Sequence, residues 1–277
     1  MKITELTTQL DDFFRPMKAK YGLTNFIYDP GKTSDEPCIF FGFYFNGDRV
    51  RMLRQRTGIV VIVWAGSDSM RFHKNYGALD YFHKNRDRVF HIAYSHWIKT
   101  DLDEVGLDYF EVPIFPVTFP EHFKPVPLGP FVYHYTSSIG SHQWFYGTDT
   151  IEQIEASMGD NHALAHKFLI TNFHAHPREK LHEVYAKCFV GVRLTSHDNM
   201  AISCVEMSLM GRRSIFNGNI PGAIPWEERS DVLPLIIEEY QYDEPDKLVA
   251  EEMRAVINLD QAHKNWKGTW LDTDFYK

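Results

Sequence analysis

The sequence has few cysteines, and their placement excludes a disulfide-rich protein. Cys38, Cys188 and Cys204 are the only cysteines in 277 residues. They stand in apolar contexts and lack the spacing of metal ligands, which predicts reduced, buried thiols in place of a disulfide framework or a zinc site. No metal and no tightly bound cofactor is expected.

Long apolar runs are also missing. The longest, Gly58 to Ala65 and Leu233 to Ile237, are far shorter than the roughly 20 residues that a membrane-spanning helix needs. The first residues include acids and lack the basic and apolar regions of a signal peptide. We therefore expect a cytoplasmic protein without a transmembrane segment.

Basic residues are outnumbered by acidic ones, 29 to 37, which gives a formal charge of −8. An acidic balance disfavours tight nonspecific binding to nucleic-acid phosphates. A short basic stretch, Arg49, Arg51, Arg54 and Arg56, keeps DNA open as a disfavoured alternative partner. The 44% apolar and 24% charged residues are ordinary for a globular protein, which predicts a chain folded nearly throughout.

The length favours two domains of ordinary size. In the first half, apolar runs of strand length alternate with amphipathic stretches. The predicted strands are 24–28, 38–44, 58–65, 89–94 and 109–115. The predicted helices are 48–55, 75–84 and 97–105. This alternation is typical of a parallel sheet in a doubly wound domain.

A proline-rich stretch, VTFPEHFKPVPLGP at residues 117–130, disfavours both a helix and a central strand and predicts a linker. A second alternation follows it. The predicted strands are 131–136, 167–172, 189–193 and 213–217. The predicted helices are 150–158, 178–187, 200–210, 230–239 and 245–258. The aromatic tail, residues 262–277, is expected to pack back on the N-terminal domain.

The most informative stretch is CFVGVRLTSHDNMAISCVEMSLMGRRSIFNGNIPG, residues 188–222. A buried strand is expected to end in a polar loop, and a helix to open at Asn199 or Met200. In open α/β sheets, ligands bind at the carboxyl ends of strands, where loops lead into helix N-termini. The amides of such a helix start suit phosphate or sugar oxygens.

Asp198 and Glu206 are eight residues apart, a spacing that would place both carboxylates on roughly the same face of this helix. Ionised carboxylates accept hydrogen bonds from neighbouring hydroxyls, so one acid could face a sugar and the other a ribose. Two plainer interpretations remain open. Asp198 could be a helix N-cap only, and Glu206 a solvated helix position.

This arrangement resembles the C-terminal domain of GT-B glycosyltransferases that carry an acid, seven residues and a glutamate. The resemblance implies that Asp198 contacts the transferred sugar, that the amides of Asn199, Met200 and Ala201 contact sugar and phosphates, and that Glu206 binds the ribose. It covers residues 126–222, including YGTDTIEQIEASM and KFLITNF. The first acid in this family is usually glutamate and the loop is richer in glycine, so Asp198 and Asn199 depart from the pattern.

Further donor-side candidates follow the predicted strands of this half. Arg193 could pair with a diphosphate, or could form only a salt bridge. His197 could assist at the same loop or be incidental there. A small polar loop with Ser137 and Ser138 could approach the diphosphate, and Asn172 begins the segment where such enzymes contact the base.

In the N-terminal half, the best candidate is WAGSDSMRFHKN, residues 64–75, directly after the most apolar strand. Gly66, Ser67 and Asp68 would lie on the acceptor side, and Asp68 could take a proton from an acceptor hydroxyl. Some inverting GT-B enzymes, the phage DNA glucosyltransferases among them, are similar in this respect. The alternative is an aspartate that caps a turn. Ser95 and His96, after the next strand, are weaker acceptor-side candidates.

The resemblance implies an α/β fold of the GT-B type, with two Rossmann-like doubly wound domains facing across a cleft. Residues 1–125 would form the acceptor-side domain and residues 126–261 the nucleotide-sugar domain. The implied activity is transfer of a hexose or pentose from a nucleoside diphosphate sugar, such as a UDP or GDP sugar, to a hydroxyl of a glycan or other acceptor. Retention follows from the paired-acid motif, whereas Asp68 as a base would imply inversion.

Three alternatives to this activity stay open. The acceptor could be a hydroxymethylated DNA base, as in phage enzymes of this architecture. The chain could also be a noncatalytic relative that binds sugar nucleotides, or a phosphorylase or epimerase of the same architecture.

Overall fold

The computed structural model describes residues 2–3, 5–8, 15, 18–19, 21–26, 28–45, 47–111, 118–137, 140–160, 162–171, 175–257 and 272–276, without the side chains of His73 and Ser141. Contacts between residues divide the chain into two compact units. Unit 1 comprises Met1–Thr118, His197–Met200 and Val256–Lys277, and unit 2 comprises Phe119–Ser196 and Ala201–Ala255. The first boundary lies seven residues before the predicted one, and the domain roles stay predictions.

Unit 1 is built on a sheet of parallel strands. The strands are β1 (Glu5–Thr8), β2 (Thr24–Asn25), β3 (Cys38–Phe41), β4 (Val60–Val63), β5 (Val89–Ala93) and β6 (Tyr109–Glu111). Their order in the sheet is β2-β1-β3-β4-β5-β6, and every pairing is parallel. Among the described residues, the helices with both ends defined include α1 (Gly47–Gln55), α2 (Tyr76–Lys84) and α3 (His96–Glu104). This confirms the predicted alternation.

The core of unit 1 follows from the sequence pattern. All four residues of β4, VVIV, are buried, as expected of a central strand covered on both faces. The helices bury only one face each; α2, for example, buries Ala78 and Phe82. Trp64, directly after β4, is fully buried among aromatic rings, including Phe43 and Phe72.

Unit 2 repeats this plan. Its strands are β7 (Phe131–Tyr135), β8 (Phe168–Thr171), β9 (Cys188–Val192), β10 (Arg213–Ile215) and β11 (Ala223–Ile224). Its helices are α4 (Thr148–Ser157), α5 (Leu181–Tyr185), α6 (Ile202–Leu209), α7 (Val232–Glu239) and α8 (Lys247–Ile257), the last two residues of α8 being assigned to unit 1. The sheet order is β11-β10-β9-β7-β8, again all parallel.

The strand order of unit 2 marks where a ligand is expected to bind. From β7 the chain moves outward to β8 and then returns to the other side of β7 with β9. Loops leaving β7 and β9 therefore diverge at the carboxyl edge of the sheet, and this topological switch point is the usual ligand position in open α/β sheets.

The proline-rich linker is held by two arginines, one of them buried. Residues 118–130 contain no helix or strand. Arg212 is fully buried and donates to the carbonyl oxygens of Pro127 and Cys188, both at 2.9 Å. Arg254 donates to the Pro120 carbonyl at 3.1 Å. Because prolines cannot donate backbone hydrogen bonds but their carbonyls still accept, the two guanidinium groups satisfy a segment that forms no regular structure.

The described part of the tail, residues 272–276, packs within unit 1. Asp272 forms an antiparallel bridge with Lys2. Tyr276 stacks on Phe90 at 4.9 Å between ring centroids and meets Phe110 edge-on at 5.2 Å. Aromatic burial explains why the end of the chain is ordered here.

Membrane-spanning helices, metal ligands and cysteines can each be examined in the structure. No helix within the described ranges is long and apolar enough to cross a membrane. Within the same ranges, no group of three or more His, Cys, Asp or Glu side chains is placed to hold a metal ion. The three cysteines are buried. Burial raises the pKa of both Cys38 and Cys188 to about 12, so these thiols are protonated at neutral pH.

Candidate functional site

Arg193 lies at the switch point of unit 2, directly after β9. Its backbone amide still bonds to the Ile215 carbonyl of β10 at 2.9 Å, which fixes its position at the edge of the sheet. The guanidinium carbon lies 4.5 Å from the ring centroid of Tyr135 and 4.6 Å from that of Tyr146. With 8% of its surface exposed, Arg193 brings a cation to the place where a ligand is expected.

The same edge carries a buried polar network that anchors the start of α4. His134 contacts the Val192 carbonyl oxygen through Nδ1 at 3.3 Å and Thr148 Oγ1 through Nε2 at 3.2 Å. Thr148 Oγ1 also contacts Thr136 Oγ1 at 2.6 Å. Burial lowers the pKa of His134 to about 4, so the imidazole is neutral at pH 7. The first turn of α4 is thus tied to the ends of β7 and β9.

Glu206 is fully buried inside α6, which rules out the solvated interpretation. Its Oε1 accepts a hydrogen bond from Arg178 at 2.9 Å and its Oε2 accepts one from Tyr185 at 3.1 Å. Arg178 is 13% exposed, so the ion pair is largely shielded from water. Burial raises the pKa of Tyr185 well above its ordinary value, so the phenol is protonated and donates to Glu206.

The start of α6 differs from the prediction, and Asp198 with it. The helix begins at Ile202, with Ala201 as its N-cap at φ 37° and no side-chain cap. Asp198 is therefore not the N-cap, and it precedes the helix instead of sharing a face with Glu206. The Asp198 carboxylate accepts a hydrogen bond from the Asn199 amide at 2.8 Å. This local turn delays the helix because Asp side chains compete for backbone amides.

The predicted donor loop belongs to unit 1 from His197 to Met200, whereas Ala201 and Glu206 belong to unit 2. Asn199 is buried, and its side-chain amide donates to the Trp64 carbonyl at 2.6 Å. The Ser95 hydroxyl donates to the Asp198 carbonyl at 3.3 Å. Both contacts bring the loop to the carboxyl ends of β4 and β5. Met200 and Ala201 are buried as well.

Asp68 is fully buried in the loop after β4. Its two oxygens accept hydrogen bonds from the Phe43 amide at 2.7 Å and the Ala65 amide at 2.9 Å. Burial raises the pKa of Asp68 to about 6, although these backbone hydrogen bonds act in the opposite direction. In this position Asp68 holds the loops after β3 and β4 together, and its role as a base stays a prediction.

Next to Asp68, Asp101 of α3 joins two polar side chains. It accepts hydrogen bonds from the Ser69 hydroxyl and from His197 Nε2, the latter at 2.8 Å. The Ser69 hydroxyl oxygen also lies 2.8 Å from the Gly66 carbonyl oxygen. Gly66 has φ 119°, a conformation that favours glycine, and a side chain there would approach Asn199. Asp101 thus fixes His197 beside the loop of Gly66 and Ser67.

The remaining candidates are surface or loop positions. Ser95 caps α3 by accepting from the Ile98 amide at 3.3 Å. His96 is exposed at the first turn of α3. Partial burial of its ring is the main cause that lowers the pKa of His96, and the nearby His197 is the second. Ser137 follows β7 by two residues. Ser138 and Asn172 lie outside the described residues.

Sequence reasoning missed several residues of these sites. They are Asp101, Ser69, Tyr135, Tyr146, His134, Thr148, Arg178 and Tyr185. Two signals were available in the sequence. Tyr135 and Tyr146 flank the small polar loop after β7, and Arg178 opens a predicted helix. Arg178 and Glu206 are 28 residues apart in the sequence, and Asp101 and His197 are 96 residues apart. Contacts over such separations leave no local pattern in the sequence.

The basic stretch of α1 does not present four arginines to solvent. Arg56 is 1% exposed and pairs with Glu5 at 2.6 Å. Arg49 is 6% exposed and donates to Thr7. Arg51 pairs with Asp48 on the surface. Two of the four cations are therefore occupied inside unit 1, which weakens the structural basis for a DNA-binding surface here.

Comparisons with known proteins identify the fold. Neither a protein-family model nor a curated protein sequence matches the chain. Solved structures do match. Sucrose-phosphate synthase from Thermosynechococcus elongatus has a TM-score of 0.58 at 13% identity, over 93% of this chain and 76% of that one. A glycosyltransferase from Rickettsia africae ESF-5 has a TM-score of 0.56 at 9% identity, over 97% of both chains.

A third structure, an S. aureus TarM mutant in complex with fondaparinux, α-GlcNAc-glycerol and UDP, has a TM-score of 0.53 at 10% identity. This chain spans 56% of the length of that TarM chain. At such low identities the likeness shows the fold alone. The protein has the GT-B glycosyltransferase fold, as the resemblance in the sequence predicted.

Proposed function

We propose that this protein is a glycosyltransferase that moves a sugar from a nucleoside diphosphate sugar to a hydroxyl of a glycan or other acceptor, with retention of configuration. The observation that carries the proposal is Arg193. Within the GT-B fold, this residue places a cation against two tyrosine rings at the switch point of unit 2. A diphosphate is the part of a nucleotide sugar that such a cation would bind.

The stacking of Arg193 favours phosphate recognition over a purely structural role. The Tyr135 and Tyr146 rings meet edge to face, 5.0 Å between centroids, and both pack against the guanidinium from the same side. Phosphate oxygens bind the N–H groups of a guanidinium. The rings also restrict the side chain before the ligand arrives, which lowers the entropy lost on binding. The N-terminus of α4, anchored by Thr148, adds a favourable dipole for an anion at the same edge.

Glu206 is proposed to accept hydrogen bonds from the ribose hydroxyls. Arg178 and Tyr185 each bond to a different carboxylate oxygen and so fix the plane of the group. Carboxylate oxygens accept hydrogen bonds from neighbouring hydroxyls, and a hydrogen bond to an ionised acceptor is stronger than one between neutral groups.

In the proposed reaction, the bond between the sugar C1 and the phosphate oxygen breaks and a bond from the acceptor oxygen to C1 forms on the same face. The acceptor's proton passes to the departing phosphate oxygen, so no protein base is needed. Arg193 offsets the negative charge that grows on the diphosphate. The burial of Asp68 and its two amide hydrogen bonds support this course over inversion with Asp68 as base.

The experiment is calorimetric titration with UDP, the nucleotide present in the TarM complex. Arg193→Gln removes the cation while keeping a polar side chain of similar reach. We expect UDP to bind the variant about 10- to 100-fold more weakly than the wild type, because a hydrogen bond to a charged group contributes about 1.5–3 kcal/mol. GDP and ADP are titrated in parallel.

Arg213→Gln is the matched control. Arg213 also stacks on a tyrosine, Tyr242 at 4.3 Å, but it begins β10 at the opposite edge of the same sheet. Its replacement should leave nucleotide affinity unchanged. Equal affinity of wild type and Arg193→Gln for every nucleotide would remove the phosphate assignment. Nucleotide binding without any sugar release would favour a noncatalytic sugar-nucleotide-binding protein.

A further inference from the structure

A cavity lies in unit 1, at the opposite edge of the sheet from Asp68 and Ser95. It has a volume of about 450 Å³, within the range of small-molecule sites. It is lined by the beginning of β1 at Glu5, by β2 and Phe26, by the turn of Asp29 to Ser34, and by Gln55 and Arg56 at the end of α1. Most of these residues begin β1, form β2 or precede β3 and β4, whereas the predicted acceptor-side residues follow β4 and β5.

Arg56 makes the floor of this cavity rigid. It is 1% exposed and bonds to Glu5 at 2.6 Å, to the Ser34 hydroxyl at 3.2 Å and to the Glu36 carbonyl at 3.0 Å. The guanidinium carbon also lies 3.7 Å from the ring centroid of Phe26. Ser34 pairs with Arg56 through a parallel backbone bridge. Four side-chain contacts and one backbone bridge thus position Arg56 before any ligand binds.

Two buried atoms of the lining residues have no hydrogen-bond partner among the residues that the structure describes. They are Arg56 Nε, a donor, and the Gln55 amide oxygen, an acceptor. A buried polar atom without a partner is unfavourable, and such atoms mark places where a ligand or water completes the bonding. The unsatisfied pair consists of one donor and one acceptor on consecutive residues.

Charges around the cavity cancel. Arg56 pairs with Glu5, and Lys32 pairs with Asp29. A site with balanced charge does not select an anion or a cation, but it offers strong donors and acceptors side by side. Short hydroxyl and amide side chains, Thr24, Asn25, Thr33 and Ser34, complete the lining. Neighbouring hydroxyls of a sugar both donate and accept, and so match this arrangement.

We propose that this cavity is a second, noncatalytic site that binds a neutral saccharide unit. None of its lining residues belongs to unit 2, which carries the proposed donor-binding residues Arg193 and Glu206. A sugar bound there would hold an acceptor glycan on the enzyme; this last step rests on the proposed function, whereas the binding site itself does not.

The test follows backbone amide signals by NMR while a sugar is added to the full-length protein. Glucose and N-acetylglucosamine are the neutral probes, and glucuronate, glucose 6-phosphate and glucosamine are the charged ones. We expect the neutral sugars to shift the amides of residues 24–26, 33–34 and 55–56 saturably. Gln55→Met, which keeps the length of the side chain, should weaken this binding about three- to tenfold. Thr33→Val, at an exposed position, should act in the same direction.

Gln153→Met, at an exposed position of α4 in unit 2, is the matched control and should bind sugar like the wild type. UDP affinity should be unchanged in all three variants, which separates this site from the donor site. The proposal is overturned if neutral sugars leave the named amides unshifted, if a charged sugar binds more tightly there, or if both cavity variants bind like the wild type. A protein that binds sugar here but binds no nucleotide would refute the proposed function alone.

Discussion

Two buried carboxylates, Asp68 and Glu206, lie in opposite electrostatic surroundings. Asp68 is held by neutral backbone amides, so desolvation dominates and its pKa rises to about 6. Glu206 is held by the Arg178 cation and the Tyr185 hydroxyl. Asp68 therefore responds to pH near neutrality, whereas Glu206 depends on its partner Arg178. Each property can be tested by substitution.

Asp68→Asn should change how stability depends on pH. The folded pKa of Asp68, about 6, exceeds the unfolded value of about 3.9, so its protonated form favours the folded state. This contribution is present below pH 4 and is lost as pH rises through 6. The wild type should therefore lose roughly 2–3 kcal/mol relative to the variant between pH 4 and 7.5. Urea unfolding of both proteins at several pH values measures this difference.

The control for that experiment is Asp80→Asn. Asp80 is exposed on α2, where it pairs with Lys84. Its replacement should leave the pH dependence of unfolding as it is in the wild type. A difference between wild type and Asp68→Asn that is constant from pH 4 to 7.5 would show that the carboxyl of Asp68 is not perturbed by burial.

Replacing Glu206 should lower the free energy of unfolding because it breaks the ion pair with Arg178. Glu206→Met removes the carboxylate from Arg178, which is 13% exposed, and we expect a loss of about 3–5 kcal/mol in the free energy of unfolding. The double variant Glu206→Met, Arg178→Met should be less destabilised than Glu206→Met alone, because no buried cation is left behind. Denaturant unfolding of the variants gives the coupling. Additive losses would show that the pair does not interact.

At the scale of single residues, the sequence predicted where polar groups would gather but not what they contact. Arg193 and Asp68 lie in the loops after β9 and β4. These positions were predictable because the end of an apolar strand is visible as a pattern in the sequence. Asp198 and Glu206 were paired by spacing along a helix. The helix begins four residues after Asp198, so the helical spacing between Asp198 and Glu206 does not apply. The hydrogen bond from the Asn199 amide to the Asp198 side chain cannot be recognised in the sequence.

The starts of α4 and α6 form a natural pair at the scale of elements. Both N-caps are in the left-handed region, Gly147 at φ 74° and Ala201 at φ 37°. Glycine adopts this conformation without strain, whereas alanine does so at a cost of about 1–2 kcal/mol. A Cβ at Gly147 would also lie 2.6 Å from Leu194 Cβ. Both helices thus begin after a left-handed residue, which is a glycine in α4 and an alanine in α6.

Exchanging these residues should have opposite effects. Ala201→Gly should leave stability unchanged or raise it by up to about 1 kcal/mol, since relief of strain outweighs the entropy gained by the unfolded chain. Gly147→Ala should lower stability by at least about 2 kcal/mol, because strain and overcrowding add. Unfolding in urea, followed by circular dichroism, measures both. A marked loss in Ala201→Gly would contradict the strain at the start of α6.

Most elements were predictable because their patterns are local. The apolar run of β4 and the single apolar face of α2 identify them without knowledge of the fold. β1 and β11 were missed for the converse reason. Glu5–Thr8 mixes acid and threonine with one leucine, and Ala223–Ile224 is a two-residue strand at the edge of its sheet. Both are defined by pairing with neighbours, which a local pattern cannot show.

At the scale of the whole molecule, the two-domain α/β architecture follows from two alternations separated by prolines. The assignment of His197–Met200 to unit 1 does not follow from them. It depends on contacts such as that of Asn199 with the Trp64 carbonyl, 135 residues away in sequence. The two α/β domains were therefore predictable from the pattern and the GT-B type from the family resemblance, whereas the surroundings of the donor loop required the structure.

We expect sugar transfer from a nucleotide donor to depend on Arg193. The test is the release of nucleoside diphosphate from a panel of UDP, GDP and ADP sugars with saccharide acceptors, with the product's anomeric configuration read by NMR. The wild type and Arg213→Gln should release the nucleotide with retention, and release should be slowed at least about tenfold in Arg193→Gln. Equal rates in wild type and Arg193→Gln, or neither nucleotide binding nor release with any donor, would refute the proposed transfer.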